Sequence, residues 1–367
     1  MIVGIDAFTS IPFARIRLYD RAVKYALIRI AEVSVNIMLN FFFLYYCPRH
    51  PESQIVAIVY REEIGVGYVL ISNLAASIFK LSLLTGEIFR AFRNRIEPAI
   101  LGRLLKYSYP LLIAGMAGTI NEALDRVLLK HLIPPDQAPM EQLGIYGANY
   151  KMAVLMTLFV QMFKYAAEPF FFSRASDKNA RRLYADVMTF FVVAGLFIFL
   201  LVNLYLDYFI LFIGENFREG AHIVPVVLMA NLVMGIFFSL SIWYKLTNKT
   251  LYGAVLVTAG ALVTVIVNVM FIPRYGYTAS AWGHLISYSL MVVLSYLWSK
   301  KHYPVPYRIV RIITYILLTL MIFYFNQLFL QDDFRWREVV RMALMIMFGT
   351  FVYLREKGTL NSYKYGG

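Results

Sequence analysis

Long apolar segments separated by short polar ones run through the whole chain. A helix that crosses a bilayer needs about 20 mostly apolar residues. About ten segments of that length lie near residues 22–46, 62–86, 107–132, 146–172, 187–213, 223–244, 251–272, 277–299, 309–330 and 338–354. Residues 1–14 look like the cytoplasmic end of one more helix. Because barrel strands have only about 10 residues each, the pattern predicts an all-α integral membrane fold with about ten transmembrane helices plus a partial one.

Basic residues collect on one side of alternating segments. Of the 35 Lys and Arg residues, 22 lie in one set of loops and 8 in the other. Cytoplasmic loops carry the excess of Lys and Arg in membrane proteins. The basic set and the C-terminus are therefore predicted to be cytoplasmic, in a multi-pass protein of the bacterial inner (plasma) membrane.

Composition agrees with a lipid solvent. The chain is 60% hydrophobic and 16% charged, whereas a soluble domain carries about 25% charged residues. The cytoplasmic loops explain its net charge of +13, so we predict no nucleic-acid partner. The single cysteine, Cys47, excludes an intrachain disulfide. No Cys/His cluster has metal-ligand spacing, and neither a metal nor a cofactor is predicted.

An internal repeat links two distant parts of the chain. Two short basic turns are each followed, in the same order, by an asparagine at the same distance and by the tripeptide Leu-Ile-Ser. In the first copy these features are residues 17–21, Asn40 and residues 70–72. In the second copy they are residues 245–249, Asn268 and residues 285–287. Transporters are often built from such repeats. The repeat predicts two parallel lobes and an N-terminally truncated first lobe, whose missing part of roughly 120 residues we expect before Met1.

Five basic residues lie inside the predicted spans, where a charge costs at least about 2.5–3.5 kcal/mol. Two of them, Arg29 and Lys80, lie within two turns of the cytoplasmic face. We expect both side chains to snorkel, which means that the charged end extends to the interface. The other three are Arg126, Lys151 and Lys164.

Carboxylates accompany the first of these three. Glu122 and Asp125 are three residues apart and share one face of a helix. Two carboxylates that close can hold one proton or a sodium ion, which makes them candidates for ion coupling. The alternative is that both pair with Arg126 or Lys151 and hold two helices together.

Polar residues also line one face of the next predicted helix. Gln161, Lys164 and Glu168 follow each other at helical spacing, and Lys164 and Glu168, four residues apart, can pair with each other. Pro169 is expected to break the helix. Freed carbonyls beside a polar face often line a transport cavity; the alternative is a purely structural kink.

Three stretches together resemble the oligosaccharide-lipid flippases of surface-polysaccharide synthesis. They are residues 10–17 (SIPFARIR), the helix from Pro110 to Asp125 and Arg126, and residues 161–170 (QMFKYAAEPF). These flippases belong to the multidrug/oligosaccharidyl-lipid/polysaccharide exporter superfamily, and the resemblance extends over nearly the whole chain.

The resemblance implies two six-helix lobes around a central cavity and two extra C-terminal helices. This chain then supplies half of the first lobe, a complete six-helix second lobe and the extra pair. The expected regions are 1–86 (second half of the N-terminal lobe), 87–106 (basic cytoplasmic linker), 107–299 (C-terminal lobe), 300–354 (extra helix pair) and 355–367 (cytoplasmic tail).

The resemblance also implies a substrate. It is an undecaprenyl-diphosphate-linked oligosaccharide, flipped across the inner membrane by alternating access for the synthesis of O-antigen, capsule or exopolysaccharide. Polysaccharide polymerisation machinery is the implied protein partner, with Na+ or H+ as the coupling ion. Cavity cations are expected to meet the diphosphate, and Arg126 and Lys164 are the first candidates. The wider set of cavity candidates is Arg126, Lys151, Gln161, Lys164 and Glu168.

Three alternatives to a flippase were compared with the residues of the chain. A drug/cation antiporter of the same superfamily needs an acidic, aromatic cavity, but three cations against three carboxylates do not decide between the two substrates. An enzyme needs convergent acid–base groups in a sizeable loop, and the short outer loops contain none, so we predict no enzyme. The last alternative is an inactive fragment.

Overall fold

The structure, a computed structural model, describes residues 1–19, 21–92, 97–330 and 336–364. Within them, the side chains at positions 17, 18, 22, 55, 57, 91, 92, 120–123 and 360–364 are not described. Parts of four predicted regions therefore lie outside the described residues, namely 20 of the first region, 93–96 of the linker, 331–335 of the helix pair and 365–367 of the tail. All regular secondary structure in the described part is helical. This confirms the predicted all-α fold, in which each segment satisfies its own backbone groups in hydrocarbon.

The chain divides into two compact units, Met1–Leu101 and Gly102–Gly367. The long helices of the N-terminal unit are α1 (Ile2–Leu18), α2 (Ala22–Phe41) and α3 (Tyr68–Phe92). Short helical segments connect α2 to α3 at Phe42–Tyr46, Cys47–Arg49, Gln54–Val59 and Glu62–Gly67.

Apolar packing and polar contacts hold the N-terminal unit together. Phe13 and Ile16 of α1 form a buried cluster with Ile28 of α2 and Leu84 of α3. The Asn36 side chain on α2 donates a hydrogen bond to Asn73 Oδ1 on α3 at 2.8 Å. Between helices in lipid, such a bond contributes on the order of 1 kcal/mol.

Lys80 does not snorkel, and the prediction that it does is wrong. Its side chain is only 3% exposed, and Nζ lies 2.6 Å from both Asp6 Oδ1 and Glu32 Oε1. The reason is its position: Lys80 lies twelve residues from either end of α3, about 18 Å along a helix, so carboxylates of α1 and α2 satisfy its charge instead. Arg29 is half exposed and pairs with Glu32 at 2.8 Å; its snorkelling stays a prediction.

The C-terminal unit contains most of the long helices. They are α4 (Pro98–Leu132, which begins just before the unit), α5 (Pro139–Tyr150), α6 (Val154–Ser173), α7 (Ala180–Leu204), α8 (Val224–Leu240), α9 (Thr250–Tyr275), α10 (Tyr277–His302), α11 (Ile309–Phe329) and α12 (Arg337–Lys364). A single 3-10 turn, Lys151–Ala153, joins α5 to α6. Other short helical segments are Pro135–Gln137, Leu206–Phe209, Ile210–Phe212, Glu215–Ile223 and Ile242–Leu246.

Helices α7 and α8 form the centre of this unit. Buried Val, Leu, Ile and Phe side chains of both helices belong to its largest apolar cluster. Two glycines let them approach closely: a Cβ at Gly195 would collide with Leu232, and one at Gly235 would collide with Phe191. Small residues at helix contacts are how helices pack in lipid, where no hydrophobic effect drives them together.

Seven helical stretches of the described residues are long and apolar enough to cross a membrane. They are Val23–Arg49, Glu62–Arg90, Pro139–Ser173, Ala180–Leu204, Glu215–Leu246, Thr250–Tyr275 and Ile309–Phe329. Helices α4, α10 and α12 are also long enough, with 35, 26 and 28 residues, but each contains polar side chains. The ten segments predicted from the sequence all fall on helices, and the protein is a multi-pass helical membrane protein.

An ionic network attaches the last two helices to α7 near its start. The Arg308 guanidinium lies 2.6 Å from Asp186 of α7 and 3.0 Å from Glu356 of α12. Glu356 also accepts hydrogen bonds from Tyr315 at 2.7 Å and Arg311 at 3.1 Å. Burial raises the pKa of Glu356, but the Tyr315 hydrogen bond and the Arg311 charge lower that pKa by more, so the net shift is downward.

A second network attaches the same helices beyond the other end of α7. Arg341 of α12 binds both carboxylate oxygens of Asp207 at 3.0 Å and donates to Asn326 Oδ1 of α11 at 3.0 Å. Asp186 and Asp207 are 21 residues apart, which is about 31 Å at the rise of a helix and close to the thickness of the hydrocarbon core. Helices α11 and α12 are therefore held by ion pairs near the start of α7 and just beyond its end.

Candidate functional site

A buried carboxylate, Asp125, is the centre of a polar cluster in the C-terminal unit. It lies on α4 and is 1% exposed. Tyr146 of α5 donates a hydrogen bond to Asp125 Oδ2 at 2.6 Å, and His284 Nε2 of α10 lies 3.1 Å from the same oxygen. The backbone N–H of Arg126 donates to Oδ1 at 2.7 Å. Side chains of the consecutive helices α4 and α5 and of the distant helix α10 thus converge on one carboxylate.

Further polar atoms connect this cluster to α9. Gly276, with φ of 55°, forms the single-residue turn that places α10 against α9, because this left-handed backbone favours glycine. Ser280 Oγ donates to Asn268 Oδ1 at 3.3 Å. Among the described residues, Thr264 Oγ1, Asn268 Nδ2 and His284 Nδ1 are buried without a hydrogen-bond partner. An unpaired buried polar atom costs about 1–3 kcal/mol, so each of these three atoms is suited to form a further hydrogen bond.

The chemistry of the Asp125–His284 pair follows from its geometry. An ionised carboxylate can only accept, so His284 donates to Asp125 from Nε2. His284 Nδ1 is buried without a hydrogen-bond partner among the described residues. Both side chains of the pair are buried, and a buried charge is least costly when it is paired.

The predicted pairing of Asp125 with Arg126 or Lys151 is wrong. Neighbouring residues on a helix do not face each other, and the Arg126 guanidinium lies over the Tyr150 ring, 5.8 Å from its centroid. Arg126 and Lys151 are both exposed. The Glu122 side chain lies outside the described residues, so an ion-coupling role of Glu122 together with Asp125 stays a prediction.

A second polar site lies between α6 and the segment that follows α8. Lys164, Glu168, Ser241 and Lys245 line a cavity of about 20 Å³ together with apolar side chains, which is room for a single water molecule. Lys245 Nζ donates to Glu168 Oε1 at 2.9 Å, and Lys164 Nζ lies 4.5 Å from the centroid of the Phe238 ring. Glu168 therefore pairs with Lys245 rather than with Lys164.

The remaining predicted site residues lie on the same helix. Gln161 is exposed on α6, one turn before Lys164. The prediction that Pro169 breaks the helix is wrong, because α6 continues to Ser173. The missing Pro169 N–H removes one hydrogen bond, but Phe171 is buried beyond it and its carbonyl accepts a hydrogen bond from Tyr184 at 2.8 Å. Whether Pro169 acts as a hinge stays a prediction.

Sequence reasoning missed three of the residues that form these sites. His284 is an ionisable residue inside a predicted span, which by itself indicates a functional site. The five histidines are scattered along the chain, however, and no sequence spacing connects His284 to Asp125. Tyr146 resembles an interfacial tyrosine. Lys245 lies in a basic turn and was assigned to the cytoplasmic loops. In each case the contact joins helices more than 20 residues apart.

The fold is similar to that of a known transporter. The chain resembles a solved structure of the lipid II flippase MurJ in its inward closed conformation, with 15% sequence identity and a TM-score of 0.54. The similarity covers 94% of this chain and 70% of that one. No family model matches the chain, and no curated protein matches it by sequence. The chain therefore has a MurJ-like transporter fold.

Proposed function

We propose that this chain flips a polyprenyl-diphosphate-linked oligosaccharide across the bacterial inner membrane by alternating access, as a transporter and not an enzyme. The observation that carries the proposal is the site formed by Lys164, Glu168 and Lys245 within a fold that a lipid II flippase shares. In this proposal residues 107–299 form one lobe and residues 300–354 the added helix pair.

Charge favours an anionic substrate at this site. Two lysines and one glutamate are the ionisable residues that line the cavity, whereas a cavity for cationic drugs needs an excess of acid. Lysine is a point-charge binder of phosphate. The Glu168 carboxylate bound to Lys245 occupies the place that a diphosphate oxygen would take. Because the cavity has room for only one water, binding requires the lining helices to part, as alternating access provides.

Two lysines in one turn provide a matched test. Lys245 lines the cavity, while Lys249 is exposed four residues later. We expect Lys245→Ala to slow flipping of a polyprenyl-diphosphate oligosaccharide in proteoliposomes by roughly tenfold or more, since a bond to a charged group contributes about 1.5–3 kcal/mol. Lys249→Ala should retain the wild-type rate. Equal rates for both variants, or efflux of a cationic dye by the wild type, would contradict the proposal and favour the antiporter.

The Asp125–His284 pair is the proposed coupling site. Its free imidazole nitrogen accepts a proton without leaving a buried charge unpaired, which favours H+ over Na+ as the coupling ion. The helices that carry the pair, α4 and α10, are also those that carry polar residues through the membrane. Binding and release of the proton would bias the lobe between its two orientations.

A further inference from the structure

The N-terminal unit has its own buried ionic network, which is independent of the proposed substrate. Lys80 of α3 contacts Asp6 of α1 and Glu32 of α2, each at 2.6 Å. Arg29 of α2 binds Glu32 at 2.8 Å, and Ser77 of α3 donates to Asp6 at 2.9 Å. Two cations and two carboxylates therefore balance, inside helices that have hydrocarbon as their solvent.

This network can gain a proton without leaving a bare charge. Lys80 touches two carboxylates, so when one is protonated the ammonium is still paired with the other. A simple ion pair has no second carboxylate. Neutralising its only carboxylate therefore leaves an unpaired buried cation, which is strongly destabilising.

Geometry singles out Asp6 as the carboxylate that takes the proton. Glu32 is held by two cations and is 14% exposed, whereas Asp6 is held by one cation and a hydroxyl and is 47% exposed. Protonation of Asp6 costs fewer charged bonds, and its side chain is the more exposed of the two carboxylates. The other groups that face the network are Arg29, which bonds to Tyr25 of the same helix, and Lys80.

We propose that Asp6 is a proton-binding group that controls the attachment of α1 to α3. A proton from water forms an O–H bond at the Asp6 carboxylate, Lys80 keeps its own proton and stays paired with Glu32, and the net charge of the four groups rises from 0 to +1. The described polar side-chain contacts between α1 and α3 all end on Asp6. Loss of its negative charge therefore weakens the attachment of α1, which keeps its apolar contacts to Ile28 and Leu84, while α2 and α3 stay linked through Lys80 and Glu32.

Hydrogen exchange of the full chain in lipid nanodiscs tests this directly. After correction for intrinsic amide rates, we expect amides of α1 to exchange roughly tenfold faster at acidic than at neutral pH, as loss of one charge-assisted hydrogen bond implies. Asp6→Asn should show the fast exchange of α1 at every pH, with α2 and α3 still protected. Glu87→Gln is the matched control: it removes the carboxylate of the separate Lys24 pair and should keep the wild-type response.

Two results would overturn the proposal. One is an α1 exchange rate in the wild type that does not change with pH. The other is an Asp6→Asn variant that is folded and retains the wild-type pH response. Should Asp6→Asn fail to fold, infrared spectra of the wild type with carboxyl-labelled aspartate replace it: no aspartate protonation over the pH range in which α1 loosens would equally refute the idea.

Discussion

The two units place buried charge in the membrane in opposite ways. In the N-terminal unit, Lys80 is a fixed cation between the carboxylates of Asp6 and Glu32. In the C-terminal unit, Asp125 is an anion that accepts hydrogen bonds from the Tyr146 hydroxyl and the His284 ring. A fixed cation needs a permanent anionic partner, whereas the Asp125 carboxylate is held by hydrogen-bond donors. The Lys80 site should therefore lose more stability when its central side chain is replaced by alanine. The Asp125 site should respond more strongly to a single proton.

The largest effect is expected from Lys80→Ala. It leaves two carboxylates without their shared cation, and breaking a buried pair costs about 3–5 kcal/mol. Thermal and denaturant unfolding of the purified chain would measure it. Lys24→Ala, which removes a half-exposed lysine from Glu87, is the control and should cost less than about 1 kcal/mol. Equal losses from both variants would show that Lys80 is not buried as described.

A smaller loss is expected from Asp125→Ala. Tyr146 and His284 lose one common acceptor, and removal of one partner of a buried hydrogen bond costs about 1–3 kcal/mol, which is less than the cost of a bare charge. Asp125→Asn keeps an acceptor oxygen and should recover most of that stability. If Asp125→Ala destabilised the chain more than Lys80→Ala, the contrast between a fixed cation and hydrogen-bonded anion would be wrong.

Sequence patterns predicted the fold far better than the sites. Ten apolar segments were placed on helices because hydrophobic length is a local property, readable in one window. Lys80 was misjudged because the sequence shows neither that it lies twelve residues from either end of α3 nor that carboxylates of α1 and α2 pack against it. His284 and Lys245 were missed for the same reason: a carboxylate on one helix and its partner on another share no sequence spacing, and only packing brings them within 3.1 Å or 2.9 Å.

A third effect, smaller again, is expected from acid acting on Glu356. Its pKa is lower in the folded chain than its ordinary value, so ionised Glu356 stabilises the fold above the ordinary pKa, and this contribution is lost as the pH falls through the lowered value. We expect the attachment of α11 and α12 to weaken on acidification, seen as faster proteolysis or exchange of α12. Glu356→Gln should show no such pH dependence from this group; a response unchanged from wild type would place its origin elsewhere.

The smallest effect is expected from Arg174→Ala. Arg174 and Asp177 form a pair at 3.3 Å, with both side chains about half exposed, and pairs of this kind contribute about 0–1 kcal/mol. Unfolding should change by less than about 0.5 kcal/mol. A loss of several kcal/mol in the free energy of unfolding would contradict this prediction. It would mean that the exposed fraction of the two side chains does not indicate how much an ion pair stabilises this protein.

The most direct test of the account measures flipping driven by a pH gradient. The full chain is reconstituted with a polyprenyl-diphosphate oligosaccharide, and the rate is compared with and without a proton gradient for the wild type, Asp125→Asn and a control, His131→Gln, whose histidine is exposed at the end of α4. We predict that the gradient accelerates the wild type and the control but leaves Asp125→Asn unchanged. Acceleration that persists in Asp125→Asn, or a wild type that responds to sodium and not to protons, would contradict coupling through the Asp125–His284 pair.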